Sequence, residues 1–287
     1  MNILYSLNNS IDSQIFLSRF LPNIKNHNVK ICMHGLSMFF NVDLNLNFFL
    51  NEKKKIDIHS ERILELSSWI KNFNPDIVIS DNEAIVGYTA SVQNYKLINC
   101  SYNFIFFEQN SSLMKKTQFK QKNKELVNVF INNKSFCPSI IVDFDFEPKL
   151  PHTNISECTD LTYIRPYFIL GDKTENKKIH SSALNIHNAT KDSYYYNLFN
   201  SKPYADSIKS SDYNLIDASH TTITDSFYNK KYCYFNKPNE SYQKVLIDFC
   251  KLNKIGELHK DILKFKDINC LEFSKEAKHL HEIIEEI

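Results

Sequence analysis

The sequence predicts an α/β fold of two Rossmann-like domains. Three observations carry that expectation. The 287 residues exceed the usual length of one domain, so two units of roughly 130 to 150 residues each are natural. Short apolar runs suited to burial on both faces alternate with amphipathic stretches of helical period, which implies right-handed βαβ crossovers and mainly parallel sheets. The composition, 43% apolar and 23% charged with 22 Phe and 15 Tyr, belongs to a chain that can bury two cores.

In chain order, Asn2–Leu7 reads as a strand and Ser10–Lys25 as a helix, with Ile11, Ile15, Phe16, Phe20 and Ile24 near 3.6-residue spacing. Asn28–Met33 is a second strand. Ser60–Phe73 is an amphipathic helix closed by Asn74–Pro75, and Asp76–Ser80 is a strand. A small-residue helix follows at Glu83–Gln93, then a strand at Lys96–Cys100, a polar helix over Ser112–Asn132 and a strand at Ser139–Asp143. The first domain is expected over residues 1–160 and the second over 161–287, with Arg165–Pro166 and polar Gly171–Lys178 at the junction. The second half continues with a strand at Ala183–His187, a helix at Lys191–Phe199, a strand at Tyr213–Asp217, a helix at Thr221–Tyr228, a strand at Tyr232–Phe235 and a helix at Glu240–Leu252. Helical stretches at Glu257–Phe265 and Ser274–Ile287 close the chain, the last able to pack back on the first domain.

Composition also excludes. A net charge of +1 gives no general attraction to nucleic acid or anionic lipid. The run Lys115, Lys116, Lys120, Lys122 and Lys124 reads first as a solvated helix face, and a peripheral membrane contact stays open. The start lacks a signal peptide and no apolar run could span a bilayer, so a cytoplasmic location is expected. Seven scattered cysteines without a C-x-x-C pair suit reduced thiols. With only four glycines there is no phosphate-binding glycine loop, so any phosphate must be held otherwise.

One segment offers such a means. A strand ends at Asp217, Ala218 and Ser219 turn the chain, and His220, Thr221 and Thr222 open a helix whose first-turn N–H groups and dipole favour an anion. Here the order ASHTTITDSFYNKKYCYFNKPNESYQ resembles the donor-binding segment of the MurG-like and UDP-glycosyltransferase-like families of GT-B type. In those the pattern runs strand, G-G-H-(S/T)-T, helix with E-A, a K-P strand, and a loop with E-Q or D-Q. The resemblance implies that Ser219, His220, Thr221 and Thr222 contact a donor diphosphate, that Asp225 stands at the usual Glu position, and that Glu240 and Gln243 approach the sugar. Ala218–Ser219 replaces the two glycines, Tyr232 follows Lys231 where the family has proline, and Glu240 and Gln243 are three apart. An ordinary N-capped helix is the alternative reading.

In the first half, NPDIVISDNEAIVGYTASVQNYKLINCSYN resembles the same families' P-D-(V/L)-(V/I)-(I/V)-S-D segment. It sets Asp81, Asn82 and Glu83 at the carboxyl end of a parallel strand, where an acceptor could bind or lose its proton. A helix cap explains them equally well. The families' G-x-G-H-x-x-R loop after the first strand is replaced by LNNSIDSQ, which leaves Asp12 as the nearest carboxylate base, with Asn9 and Ser10 as hydrogen-bonding groups.

Other candidates weigh less. The histidines His180, His187, His279 and His281 lack metal spacing, Asp143, Asp145 and Glu147 alternate on one expected strand, and Tyr194–Tyr196 suits a helix packing face. The resemblance implies that the two domains face each other across a cleft, and it implies sugar transfer from a nucleotide sugar, a UDP-sugar first, to an unidentified acceptor, without a metal or permanent cofactor. A nucleotide-sugar epimerase or a catalytically silent binding or assembly subunit are the alternatives, and the oligomeric state stays open.

Overall fold

The computed structural model describes residues 1–46, 57–81, 83–100, 135–138, 161–184, 193–195, 198–260, 266, 268 and 278–287. They fall into two units. The first takes in Met1–Pro138 and Asn154–Ile164, and the second includes Arg165–Glu286.

The sheet of the first unit contains β1 (Asn2–Leu7), β2 (Asn28–Met33), β3 (Leu44–Asn45), β4 (Ile77–Asp81), β5 (Leu97–Cys100), β6 (Ser135–Pro138) and β7 (Leu161–Ile164). All neighbours are parallel, in the order β3-β2-β1-β4-β5-β6-β7. The chain thus winds outward from β1 and then crosses to β4, the doubly wound pattern. Register explains why the central strands are apolar on both faces. Leu4 lies beside Val78, and Val78 beside Leu97. This face receives Leu66, Ile70 and Phe73 of α2 (Asp57–Phe73) and Val86 and Ala90 of α3 (Ala84–Val92). On the opposite face Tyr5 meets Phe20 of α1 (Ile11–Phe20), their ring centroids 5.8 Å apart. The helix expected to run to Lys25 stops at Phe20 and tightens into a 3-10 turn at Leu21–Asn23, because Pro22 supplies no N–H.

The second sheet contains β8 (Lys177–Ala183), β9 (Tyr194–Tyr195), β10 (Ser211–Ile216), β11 (Cys233–Phe235) and β12 (Gly256–Leu258), parallel throughout in the order β12-β11-β10-β8-β9. With it go α4 (Lys202–Ser210), α5 (His220–Tyr228), α6 (Ser241–Leu252) and α7 (Leu280–Glu285).

Here the structure corrects several expectations. The strand expected at Ala183–His187 lies at Lys177–Ala183, because its buried half is His180, Ser181, Ser182 and Ala183 and shows no apolar alternation. Tyr194 and Tyr195 form an edge strand instead of a helix face, and the helix lies further on at α4, capped by Ser201 with Pro203 in its first turn. Gly256–Leu258 is a strand beside β11 where a helix was expected, and the terminal helix is shortened to α7. Residues 101–134 and 139–160 lie outside the described residues, and with them the expected helix at Ser112–Asn132, the lysine run, the strand at Ser139–Asp143 and the carboxylates Asp143, Asp145 and Glu147.

Gly171 lets the junction lie flat on α4. A Cβ there would stand 1.9 Å from the carbonyl oxygen of Ala205. Asn229 at the end of α5 holds the same segment, accepting from the N–H of Gly171 at 2.9 Å and donating to the carbonyl of Ile169 at 2.8 Å. Among the described residues no helix is long and apolar enough to cross a membrane.

Candidate functional site

Doubly wound sheets bind ligands beyond the carboxyl ends of their strands, where the strand order reverses. In the first unit the reversal lies between β1 and β4, and in the second between β8 and β10. Most of the residues singled out in the sequence gather at these two points.

In the second unit, Asp217 follows β10 and ties the strand ends together. Its Oδ2 accepts from the N–H of Leu184 after β8 at 2.7 Å, and its Oδ1 from Nδ2 of Asn236 after β11 at 2.8 Å. Ser219 is extended and caps α5: its Oγ accepts from the N–H of Thr222 at 3.1 Å, while Thr222 Oγ1 accepts from the N–H of Ser219 at 3.2 Å and donates to the carbonyl of Asp217 at 2.8 Å. This reciprocal capping box occupies both hydroxyls within the turn. His220 and Thr221 supply the first two N–H groups at the positive end of the helix. All four residues are buried.

Asp225, in the second turn of α5, is fully buried and accepts from the N–H of Ile169 at 3.1 Å, so its carboxylate fastens the 165–171 segment to the helix. Gln243 turns back on the start of α6, its Oε1 accepting from the N–H groups of Asn239 at 2.8 Å and Glu240 at 3.3 Å. Glu240 is exposed at the cap of that helix, beyond the carboxyl end of β11 and so at the same edge of the sheet as Ser219.

His180 sits inside this unit. Its Nδ1 is 3.0 Å from Ser207 Oγ, and its ring lies 5.5 Å from that of Tyr194 and 5.4 Å from that of Tyr204. Burial, with some help from Lys177, pushes its imidazole down to about 3, so it is a neutral core residue at ordinary pH. His279 and His281 of the terminal segment stack on Tyr167, whose hydroxyl is 2.7 Å from Nδ1 of His281.

In the first unit, the N–H of Asn8 donates to the carbonyl of Asp81 at 3.3 Å and joins the ends of β1 and β4. Asn8 Oδ1 accepts from the N–H of Ser10 at 2.9 Å, Ser10 Oγ accepts from the N–H of Ser13 at 3.2 Å to cap α1, and Asn9 Oδ1 accepts from Gln14 Nε2 at 3.2 Å. Asp12 is buried in the first turn of α1, and Asp81 is buried at the end of β4. Asn82 lies outside the described residues.

Glu83 caps α3 through both oxygens, accepting from the N–H of Ile85 at 3.1 Å and of Val86 at 2.8 Å. Its Oε1 also lies 3.2 Å from Nε2 of His34, a residue the sequence reading passed over. The signal was there: His34–Gly35 follows the apolar strand β2 directly, at the same edge as the loop after β1. Gly35 takes φ 93, and its N–H donates to Asn45 Oδ1 at 3.1 Å, which fixes the backbone beside His34. Cys32 below has its thiol pushed well up by burial, then by the carboxylates of Glu83 and Asp43.

Two doubly wound parallel sheets on one chain, each with its polar turns at the switch point, define the two-Rossmann-like-domain architecture of GT-B proteins, and the chain has that fold. Among solved structures it is similar to spinosyn forosaminyltransferase, with a TM-score of 0.56 and 10% identity, covering 90% of this chain and 85% of that one. It is also similar to the UDP-GlcNAc 2-epimerase of Neisseria meningitidis bound to UDP-GlcNAc, with a TM-score of 0.54 and 10% identity over 90% and 87% of the two chains. A Streptomyces glycosyltransferase gives 0.53 and 13% over 90% and 87%. No protein-family model matches the chain. Among curated proteins it resembles the DNA ligase of Buchnera aphidicola subsp. Acyrthosiphon pisum, 23% identical over an alignment of 155 residues that covers 49% of this chain and only 21% of the ligase. At these identities the likenesses speak for fold alone.

Proposed function

We propose that the chain is a metal-independent glycosyltransferase of GT-B type that takes its sugar from a nucleotide-sugar donor, a UDP-sugar first. The observation that carries this reading is the turn from Asp217 to Thr222 at the switch point of the second sheet, where a capped strand end passes into the positive head of α5. In this reading the N–H groups of His220 and Thr221 receive the donor diphosphate and stabilise the charge that grows on it as the sugar leaves. Ser219 and Thr222 hold that turn in shape, Asp225 braces the helix, and Glu240 with Gln243 stands toward the sugar. The acceptor hydroxyl belongs to the carboxyl edge of the first sheet, among Asn9, Ser10, Asp12, Asp81, Asn82 and Glu83.

Two other readings stay in view. An epimerase acting on the donor sugar itself is favoured by the shared fold of the meningococcal epimerase with its bound UDP-GlcNAc. A catalytically silent relative is favoured by the loop after β1, which carries Asn8, Asn9 and Ser10 in place of glycine and histidine.

Thermal unfolding with UDP-, GDP-, CMP- and dTDP-sugars tests the reading. A donor at a hundred times its dissociation constant adds about 2.7 kcal/mol of stability. The shift should be reduced in His220→Pro, where proline at the first helical position follows an extended residue and deletes one N–H, and kept in Thr221→Ala, which leaves the N–H in place. Released nucleotide (CMP from a CMP-sugar, the nucleoside diphosphate from the others) with a glycoside marks a transferase, an epimerised nucleotide sugar marks an epimerase, and a shift without turnover marks the silent relative. No shift with any donor would end the nucleotide-sugar reading.

A further inference from the structure

We propose that the terminal segment, residues 278–285, is a latch on the junction at residues 165–167, closed while its two imidazoles are neutral and opened by acid. Every group in it belongs to the second unit. α7 has six residues, too few to persist as a helix by its own hydrogen bonds, so it is held by what it touches. Leu280 and Ile284 are fully buried, and its polar contacts reach one short stretch of chain. The N–H of Arg165 donates to the carbonyl of Lys278 at 2.9 Å, and Nδ1 of His279 donates to the carbonyl of Arg165 at 3.2 Å. The ring of Tyr167 is stacked on both imidazoles, 4.9 Å from His279 and 5.9 Å from His281, and the imidazoles face each other at 5.4 Å. The N–H of His281 donates to the hydroxyl of Tyr167 at 3.3 Å, and that hydroxyl is 2.7 Å from Nδ1 of the same residue.

Stacked imidazoles suit a closed latch only while they are uncharged. A carbonyl can only accept, so neutral His279 carries its proton on Nδ1 and a second one goes to Nε2. Two imidazolium rings face to face at 5.4 Å repel, and the guanidinium of Arg165 adds a third positive charge beside them. The other charged groups at the cluster are Lys278, paired with Glu286, and Glu282, whose carboxylate accepts from the N–H of His279. Burial first and the Arg165 guanidinium second hold the imidazole of His279 down to about 4, against the opposite pull of Glu282 and of the Arg165 carbonyl. Released into solvent, the ring takes its second proton near pH 6.5. Opening is therefore linked to proton uptake: it is least favoured above pH 6.5 and gains up to about tenfold for each pH unit below that, until about pH 4. The next residues of the junction are held by α5, through the ring of Tyr228 on Phe168 at 4.1 Å and Asp225 on the N–H of Ile169. The latch thus closes one side of a stretch whose other side braces that helix.

Hydrogen exchange of the full chain at pH 7.5, 6 and 5, corrected for intrinsic rates, tests the latch. The reporters are the N–H of Arg165, which donates to the carbonyl of Lys278, and that of Ile283, which donates to the carbonyl of His279. Both should lose about thirtyfold of their protection between pH 7.5 and pH 5. His279→Asn, whose side-chain N–H takes the place of Nδ1–H and does not titrate, should keep the protection at pH 7.5 and lose its pH dependence. His180→Gln, at the other histidine held down by burial, should leave that dependence as it is, which separates opening of the latch from loss of global stability. In the wild type, NMR of the imidazole ring protons should find His279 titrating well below pH 6.5. Protection that is unchanged between pH 7.5 and pH 5, an equal fall in His279→Asn, or a fall abolished by His180→Gln overturns the proposal. If His279→Asn is already unprotected at pH 7.5, the wild-type titration decides: a His279 midpoint near 6.5 overturns the latch, and a midpoint well below it together with the fall in protection supports it.

Discussion

His180 shows how one buried side chain sets a property of the whole chain. Its folded form resists protonation until about pH 3, whereas an unfolded chain binds that proton near pH 6.5. Between those values the unfolded state holds more protons, so stability is full above pH 6.5 and falls as the pH drops, by up to about 1.4 kcal/mol per pH unit. His279, held down to about 4 first by burial and then by Arg165, adds a smaller loss of the same sign. Urea midpoints at pH 7.5 and pH 5 should therefore differ clearly in the wild type and less in His180→Gln, which keeps a polar partner for Ser207. An equal difference in both would remove His180 as the cause. The cysteines make a second prediction at this scale. Cys32, Cys100, Cys233 and Cys250 are buried, and burial pushes the thiol of Cys233 up to about 12. An aromatic disulfide reagent should leave these four unreacted in the native protein and titrate them only in denaturant.

At the scale of elements, two local devices position the second unit's turn. The cap of α5 satisfies N–H groups that the helix cannot satisfy itself, so Ser219→Ala should cost about 1 kcal/mol. Ser219→Thr, which keeps the oxygen, should cost less; the comparison of their denaturant midpoints reads the cap directly. Gly171 is the other device. An added methyl must push the junction away from Ala205 in α4 and loosen the bonds from Asn229 and Asp225, so Gly171→Ala should lose about 1–3 kcal/mol. Because both changes act on the support of α5, a weaker response to donor in thermal unfolding is expected alongside the lost stability.

Across the whole molecule, the sequence by itself determined the kind of architecture. Apolar strands such as NILYSL and DIVIS, helices of clear period such as that ending at Phe73, and caps such as Ser219 are local patterns, because a strand buried on both faces and a helix on its surface each leave a fixed period in the chain. It also placed the turns at Asn8–Ser10, Asp81–Glu83 and Asp217–Thr222 at strand ends. Where the pattern was polar it misled: β8 is buried through His180, Ser181 and Ser182 and shows no apolar alternation, while α4 opens on Ser201, Lys202 and Pro203 and presents its apolar face only from Tyr204, Ala205 and Ile208. Tertiary structure alone decided what each polar side chain faces. Asp225 bonds a backbone N–H 56 residues away, and Gln243 turns onto its own helix. His34 meets Glu83 across 49 residues because β2, β1 and β4 lie side by side, and a strand order that reverses between β1 and β4 is a property of the sheet that no local stretch of residues contains.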